Sequence, residues 1–171
     1  MRVRDHLAVS TLAAALLAPW AGGAMAGLWA GSVLIDADHY LWFCLRHRRV
    51  SAVAATQFFN EAHPPQHSAT RVLHTRPALM LAVAASLRWP GLRAAVSGMA
   101  AHIALDLGHD MRMNRARVVV LERDDFLCRE CGTRGESIDT HLERQPWLLP
   151  SYRTQNLISL CGPCHEAAHA G

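Results

Sequence analysis

Cys128-Arg-Glu-Cys131-Gly132 and, after 29 residues counted from Cys131, Cys161-Gly-Pro-Cys164-His165-Glu-Ala-Ala-His169 decide how the C-terminal part of this chain is read. Four thiolates in two CxxC knuckles satisfy the preference of zinc for four soft ligands in a tetrahedron. Such a site has no open position, so its metal is expected to be structural. The spacing is longer than a simple zinc ribbon needs, and the insert carries His141 and Asn156. Beyond the second knuckle, His165 and His169 are four apart and share one face of an expected helix, where two imidazoles can grip a second ion.

Working outward, Gly132 permits the tight turn of the first knuckle. Ser137–Leu142 and Asn156–Leu160 read as short strands, Cys164–Ala170 as a helix, and Arg112–Arg123 as an amphipathic helix ahead of them. Residues 111–171 thus form one expected module in the order knuckle, strand, loop, strand, helix.

Residues from about Arg115 to His169 resemble the HNH endonucleases. The resemblance rests on Val120-Leu-Glu-Arg-Asp124, the first knuckle, Ile138-Asp-Thr-His141-Leu142, and Asn156-Leu-Ile-Ser-Leu-Cys161-Gly-Pro-Cys164-His165. It covers about a third of the chain. It implies a ββα-metal finger that hydrolyses phosphodiester bonds, usually in double-stranded DNA. By that resemblance His141 is the general base, Asn156 pins the loop and orients His141, and His165 with His169 holds a catalytic Mg²⁺, Mn²⁺, Ni²⁺ or Zn²⁺. The residue types suit the chemistry. An imidazole titrating near neutrality can take a proton from the attacking water, and a divalent ion stabilises the charge that gathers on phosphate.

One position departs from the family pattern. Thr140 stands where an Asp or His ligand is usual, and a hydroxyl is a poor ligand. Asp139, one step earlier, would share a strand face with His141, which is the wrong alternation. A zinc-stabilised nucleic-acid-binding module without catalysis is therefore a separate expectation. His165-Glu166-Ala-Ala-His169 also matches the H-E-x-x-H of zinc proteases, but Cys164 is already committed to a knuckle and a third ligand must come from upstream.

Residues 1–110 have another character and read as an all-α apolar module, giving an α+β chain of two parts. Residues 7–35 contain no charged side chain. Leu7–Ala18 is a helix expected to break at Pro19 and Gly22-Gly23, and Gly27–Ile35 is a second apolar run. Pro77–Leu87 and Ala94–Leu107 read as two further short helices, and residues 60–76 as loop. The length of 7–35 suits a bilayer, and Trp20, Trp29, Trp42 and Trp89 flank apolar runs as interfacial tryptophans do. Arg46-His-Arg-Arg49 favours the cytoplasmic face. Membrane association through residues 7–35, on the cytoplasmic side, is the expectation, with a cytoplasmic location as its companion. Ala24-Met25-Ala26 after Arg2 and Arg4 offers a competing signal-peptide reading. Reduced zinc cysteines argue against export.

This half also collects ionisable residues among apolar ones: His6, Asp36, Asp38, His39, His67, His74, His102 and Asp106. Carboxylates on such helices are costly unless paired or metal-bound. His6, the Asp36-Ala-Asp38-His39 motif, His74 and the His102/Asp106 pair resemble, more weakly, predicted membrane-bound metal-dependent hydrolases. That resemblance implies a second metal cluster on those residues and a hydrolase as the alternative activity. His47, His63 and His109 read as ordinary surface residues.

The bulk numbers set limits. A net charge of +3 over 171 residues, with seventeen arginines and no lysine, falls short of a strong nucleic-acid footprint. From Met111 onward eight arginines meet eight acids, so any grip on DNA depends on where the arginines stand.

Overall fold

The computed structural model describes residues 3–61, 70–135, 137–144 and 146–170. His63 and His67 lie outside them. Among the described residues the chain is mostly helical with one two-stranded sheet, an α+β composition. It divides into two units, residues 1–106 and 107–171.

In the first unit, α1 (Val3–Ala21) and α2 (Ala24–Leu34) form a hairpin. The break falls at Gly22, whose φ of 54° only glycine adopts freely, and its N–H closes on the Ala18 carbonyl at 2.9 Å. Pro19 does not end α1 but lies inside its last turn. α3 (Ala37–His47) stops at Arg48, left-handed at φ 51°, and α4 (Ala52–Glu61) follows. A 3-10 turn at Val72–His74 leads to α5 (Arg76–Arg88), capped by the Thr75 hydroxyl, which accepts from the Ala78 amide at 3.4 Å. α6 (Arg93–Arg123) is one helix of 31 residues. The sequence expectation of separate helices over Ala94–Leu107 and Arg112–Arg123 is thus corrected. The polar Gly108-His109-Asp110 stretch between them is tolerated, because glycine in a helix costs only about 1 kcal/mol.

α2 and the start of α6 meet backbone to backbone. A Cβ at Gly31 would stand 1.8 Å from the Ala95 carbonyl oxygen, and one at Gly98 2.0 Å from that of Leu28. The polar arrangement of this unit is inverted. Its buried residues include Asp5, His6, Ser10, Ser32, Asp38, Thr70, Ser86, His102 and Asp106, with few apolar ones such as Ile35 and Phe43. Leu12, Leu16, Trp20, Leu45, Leu81 and Leu87 face outward, Trp20 at 82% exposure. Among the described residues no helix is long and apolar enough to cross a membrane, and the charge-free stretch is split between α1 and α2.

The second unit is small. Strand β1 (Asp139–Leu142) pairs antiparallel with β2 (Leu157–Leu160), His141 opposite Ile158 and Thr140 opposite Ser159. α7 (Gly162–Ala170) follows β2 directly. Among the described residues its apolar interior is two small clusters. Cys128, Ile138, Leu160 and Cys161 form one; Ala116, Val120 and Leu157 form the other. Cores of this size seldom hold a fold without a metal or crosslink.

Polar anchoring supplements them. The Arg123 guanidinium donates twice to the neighbouring Asp124 carboxylate, both at 2.8 Å, and to the carbonyls of Thr154 and Leu157. Buried Asp124 accepts the Ser159 amide at 3.2 Å, which ties the end of α6 to β2. The Arg123 guanidinium holds the Asp124 carboxyl below its usual range, against the opposing effect of burial.

Candidate functional site

The four knuckle cysteines come together. One sulfur from each of Cys128, Cys131, Cys161 and Cys164 lies within 4.8 Å of the others, and Cys131 Sγ stands 3.6 Å from Cys161 Sγ. The edge of a tetrahedron with 2.3 Å zinc–sulfur bonds is about 3.8 Å, so the set is already at metal-binding size. Local backbone sets this up. Gly132, at φ 72°, returns its N–H to the Cys128 carbonyl at 2.9 Å, and the Cys128 N–H reaches the Thr133 carbonyl at 2.9 Å.

Electrostatics makes the four thiols unequal. Burial pushes the Cys128 thiol up, but amides of Cys131, Cys161 and Glu130 aimed at its sulfur bring it down to about 6. The Cys164 thiol is pushed up to about 12 by the neighbouring sulfurs of Cys161, Cys128 and Cys131. The last proton leaves only against three crowded sulfurs, a situation a divalent cation relieves. This cluster can hold a metal such as zinc.

Beside it, β1 and α7 bring three imidazoles together. Ring centroids are 5.0 Å apart for His141 and His165, 4.7 Å for His141 and His169, and 5.0 Å for His165 and His169. One nitrogen from each lies within 4.8 Å of the other two. His165 and His169 project together because they are one helical turn apart, and the N–H of His165 closes the first turn of α7 on the Cys161 carbonyl at 2.8 Å. His141 and His165 are half-buried and His169 is exposed, so the group is open to solvent.

Asn156 closes the loop that follows β1. Its Oδ1 accepts the Arg144 amide at 3.1 Å, its Nδ2 donates to the Arg144 carbonyl at 2.8 Å, and its carbonyl takes the Glu143 amide at 3.1 Å. Asp139 is not among the ligand-like atoms around the three imidazoles. Its carboxylate pairs with Arg117 at 3.2 Å and caps the Thr140 amide. Glu166 is exposed on α7.

The first unit gathers seven of the eight ionisable residues singled out from its sequence into one connected network; the eighth, His67, lies outside the described residues. His6 Nε2 donates to Asp106 Oδ1 at 2.9 Å, and Arg71 holds Asp106 Oδ2 at 3.0 Å. His102 Nε2 lies 3.2 Å from His74 Nε2 and 3.5 Å from Asp36 Oδ1. His74 Nε2 is 3.3 Å from Asp36 Oδ1, while its Nδ1 faces Asp38 Oδ2 at 3.2 Å. His39 Nδ1 meets the Thr70 carbonyl, and its Nε2 is 3.8 Å from Asp36 Oδ1. His6 stacks on His102 with centroids 3.8 Å apart.

Sequence reasoning passed over several members of this network. Arg71 carries no motif, and Ser32 and Thr70 act through main-chain carbonyls, which leave no trace in side-chain identity. Of the histidines read as ordinary surface or loop, His109 lies half-buried on α6 with its Nδ1 2.8 Å from the Tyr152 hydroxyl. His47 packs against the ring of Phe43.

Comparison with family models, with curated proteins and with solved structures finds no match for this chain.

Proposed function

We propose that residues 107–171 are a metal-dependent nuclease finger of HNH type, a ββα-metal unit that hydrolyses nucleic-acid phosphodiester bonds, with double-stranded DNA as its substrate. The observation that carries this is the meeting of His141 from β1 with His165 and His169 from α7, beside a four-cysteine cluster that fixes where β2 ends and α7 begins. The cysteines take a structural zinc. His165 and His169 hold the catalytic ion, which supplies charge stabilisation at the phosphate. His141 receives the proton of the attacking water at a ring nitrogen, and Asn156 keeps the loop after β1 closed so that the ring stays in place.

The donor set narrows the ion. With Thr140 in place of a carboxylate or imidazole ligand, and Asp139 drawn to Arg117, the ligands are nitrogens. Imidazole suits Zn²⁺ or Ni²⁺ better than Mg²⁺, which prefers oxygen.

The test is plasmid nicking with each of Mg²⁺, Mn²⁺, Ni²⁺ and Zn²⁺. His141→Ala should lower the rate by about 10²–10⁴, the usual worth of a general base, with zinc content unchanged. Undiminished nicking by this variant sinks the assignment of the base. Wild-type protein that binds DNA but cuts it with none of the four ions would be a binding module instead.

For residues 1–106 we infer a bilayer as the partner. The inverted burial supports this: carboxylates, imidazoles and serines inside, leucines outside. Water as the sole solvent would favour the opposite sorting, and close glycine contacts such as those of Gly31 and Gly98 are how helices pack where apolar burial gives no drive. Co-flotation with vesicles of phosphatidylethanolamine and phosphatidylglycerol tests it; protein left wholly in the aqueous fraction refutes it.

A further inference from the structure

We propose that Trp147, Leu148 and Leu149, at the tip of the loop between β1 and β2, form an apolar wedge that enters a base step of bound DNA, with Arg144 and Arg153 at the foot of the loop on the flanking phosphates. This rests on the nuclease reading of residues 107–171. The three side chains stand out in water: Trp147 is 79% exposed, Leu149 47% and Leu148 37%. Leu149 also holds a φ of 61°. A residue with a Cβ is disfavoured there, and glycine would turn the chain at less cost. Leu149 belongs to neither apolar cluster of this unit. A leucine held at such a corner, half in water, is explained by what it meets when a partner is bound.

The foot of the loop is fixed. Asn156 holds both ends: its side chain exchanges bonds with the Arg144 main chain at 2.8 and 3.1 Å, and its N–H reaches the Arg153 carbonyl at 2.9 Å. Tyr152 is tied to α6 by its hydroxyl, 2.8 Å from His109 Nδ1, and by Arg112, whose guanidinium lies 5.8 Å from the ring centroid. Pro146 and Pro150 bracket the tip and restrict its backbone further. A wedge must not fold away when it is pressed into a stack, and these ties resist that.

Charge and position select the partner. Arg144 and Arg153 are exposed, and among the described residues neither guanidinium enters an ion pair, whereas Arg117, Arg123 and Arg134 of the same unit all do. Within residues 143–153 the one carboxylate is Glu143. An apolar tip on a cationic foot fits a polyanion with an apolar interior, which describes a nucleic acid or an anionic bilayer. Position favours the nucleic acid. Arg144 follows His141 by three residues, about 10 Å of extended chain, or about three nucleotide steps along one strand. A strand held for cutting at His141 therefore passes the foot of this loop. Apolar side chains driven between base steps, with arginines beside them, open and kink a duplex from its minor groove. Unstacking costs least at TA and CA/TG steps, so the loop biases cutting toward DNA with such a step near the scissile bond.

The test is 2-aminopurine fluorescence in duplex DNA, with the probe base moved step by step through a TA-containing site. Full-length His141→Ala protein is used so that cutting is slowed. Binding should raise the fluorescence at one step, most at TA or CA/TG. Adding Trp147→Ala/Leu148→Ala should abolish the rise and weaken binding about 5–150-fold, the worth of one stacked base, and Trp147→Phe should retain most of both. Arg144→Ala/Arg153→Ala should lower the salt slope of binding by about two. Bases that stay stacked throughout the bound duplex overturn the wedge, while plasmid nicking by the unaltered protein would still uphold the nuclease reading. Unstacking without nicking by any of the four ions would do the reverse. Protein that binds no DNA overturns both. If Trp147→Ala/Leu148→Ala leaves DNA binding unchanged and instead weakens binding to phosphatidylglycerol vesicles, the loop is a membrane contact and the proposal falls.

Discussion

Replacing Asn156 by Asp changes one NH₂ group to one oxygen and nothing in shape. In the native protein that NH₂ donates to the Arg144 carbonyl at 2.8 Å while Oδ1 accepts the Arg144 amide at 3.1 Å. The Asp variant keeps the second bond and puts a carboxylate oxygen against a carbonyl oxygen in place of the first. A lost hydrogen bond is worth about 1 kcal/mol, and two oxygens facing without a proton add about 1–3 kcal/mol. Asn156 is only half-buried, so the lower end applies, about 2 kcal/mol, or roughly a thirtyfold shift toward an open loop. The variant carboxyl donates when protonated. Its pKa in the folded state is therefore raised above the ordinary value of about 3.9, and the destabilisation is present above the raised pKa and lifted as pH falls below it. The assay is hydrogen-exchange protection of the Glu143 and Arg144 amides, followed from neutral to acidic pH. At neutral pH Asn156→Asp should lose about thirtyfold of protection and recover it in acid, and Asn156→Ala should not recover. Equal behaviour of the two variants at every pH would refute the claim that this amide clamps the loop.

Other consequences can be checked directly. Gly31→Ala and Gly98→Ala place a methyl group 1.8 Å and 2.0 Å from a backbone carbonyl oxygen, and each should cost about 1–3 kcal/mol or more in thermal melts. Gly108→Ala, helical with open space around it, should stabilise by about 1 kcal/mol. Chelation, or Cys131→Ser, should remove the strand signals of the second unit, because structural zinc contributes about 10–16 kcal/mol to modules whose cores are this small. Asp124, held below the usual carboxylate range by Arg123, contributes stability above its unfolded pKa that is lost as pH falls through the lower folded one. Asp124→Asn should flatten that acid limb, read by circular dichroism.

The C-terminal residues were legible because knuckles, strand and helix are local devices whose spacing survives in the sequence. The strand over Ser137–Leu142 begins two residues later, at Asp139, and Gly162 rather than Cys164 opens α7. What the chain hid was cooperative. α6 looked like two helices because Gly108-His109-Asp110 breaks its apolar pattern, yet helix propensity alone tolerates the interruption. Pro19 looked like a stop and instead sits within the last turn of α1. In the first unit the histidines and aspartates could be named from spacing, but the carbonyls that fix their tautomers could not.

The pairing of His141 with Ile158 has a consequence for how preparations behave. A strand alternates its faces, so a slip of one rung between β1 and β2 would present Thr140 or Leu142 to the helix and turn the imidazole away. Both cysteine knuckles lie outside the two strands, so mis-zipped molecules would still load zinc. On the nuclease reading proposed above, metal assays would then overcount competent molecules, and titrating the imidazole itself, rather than the sulfur-bound ion, would give the active fraction.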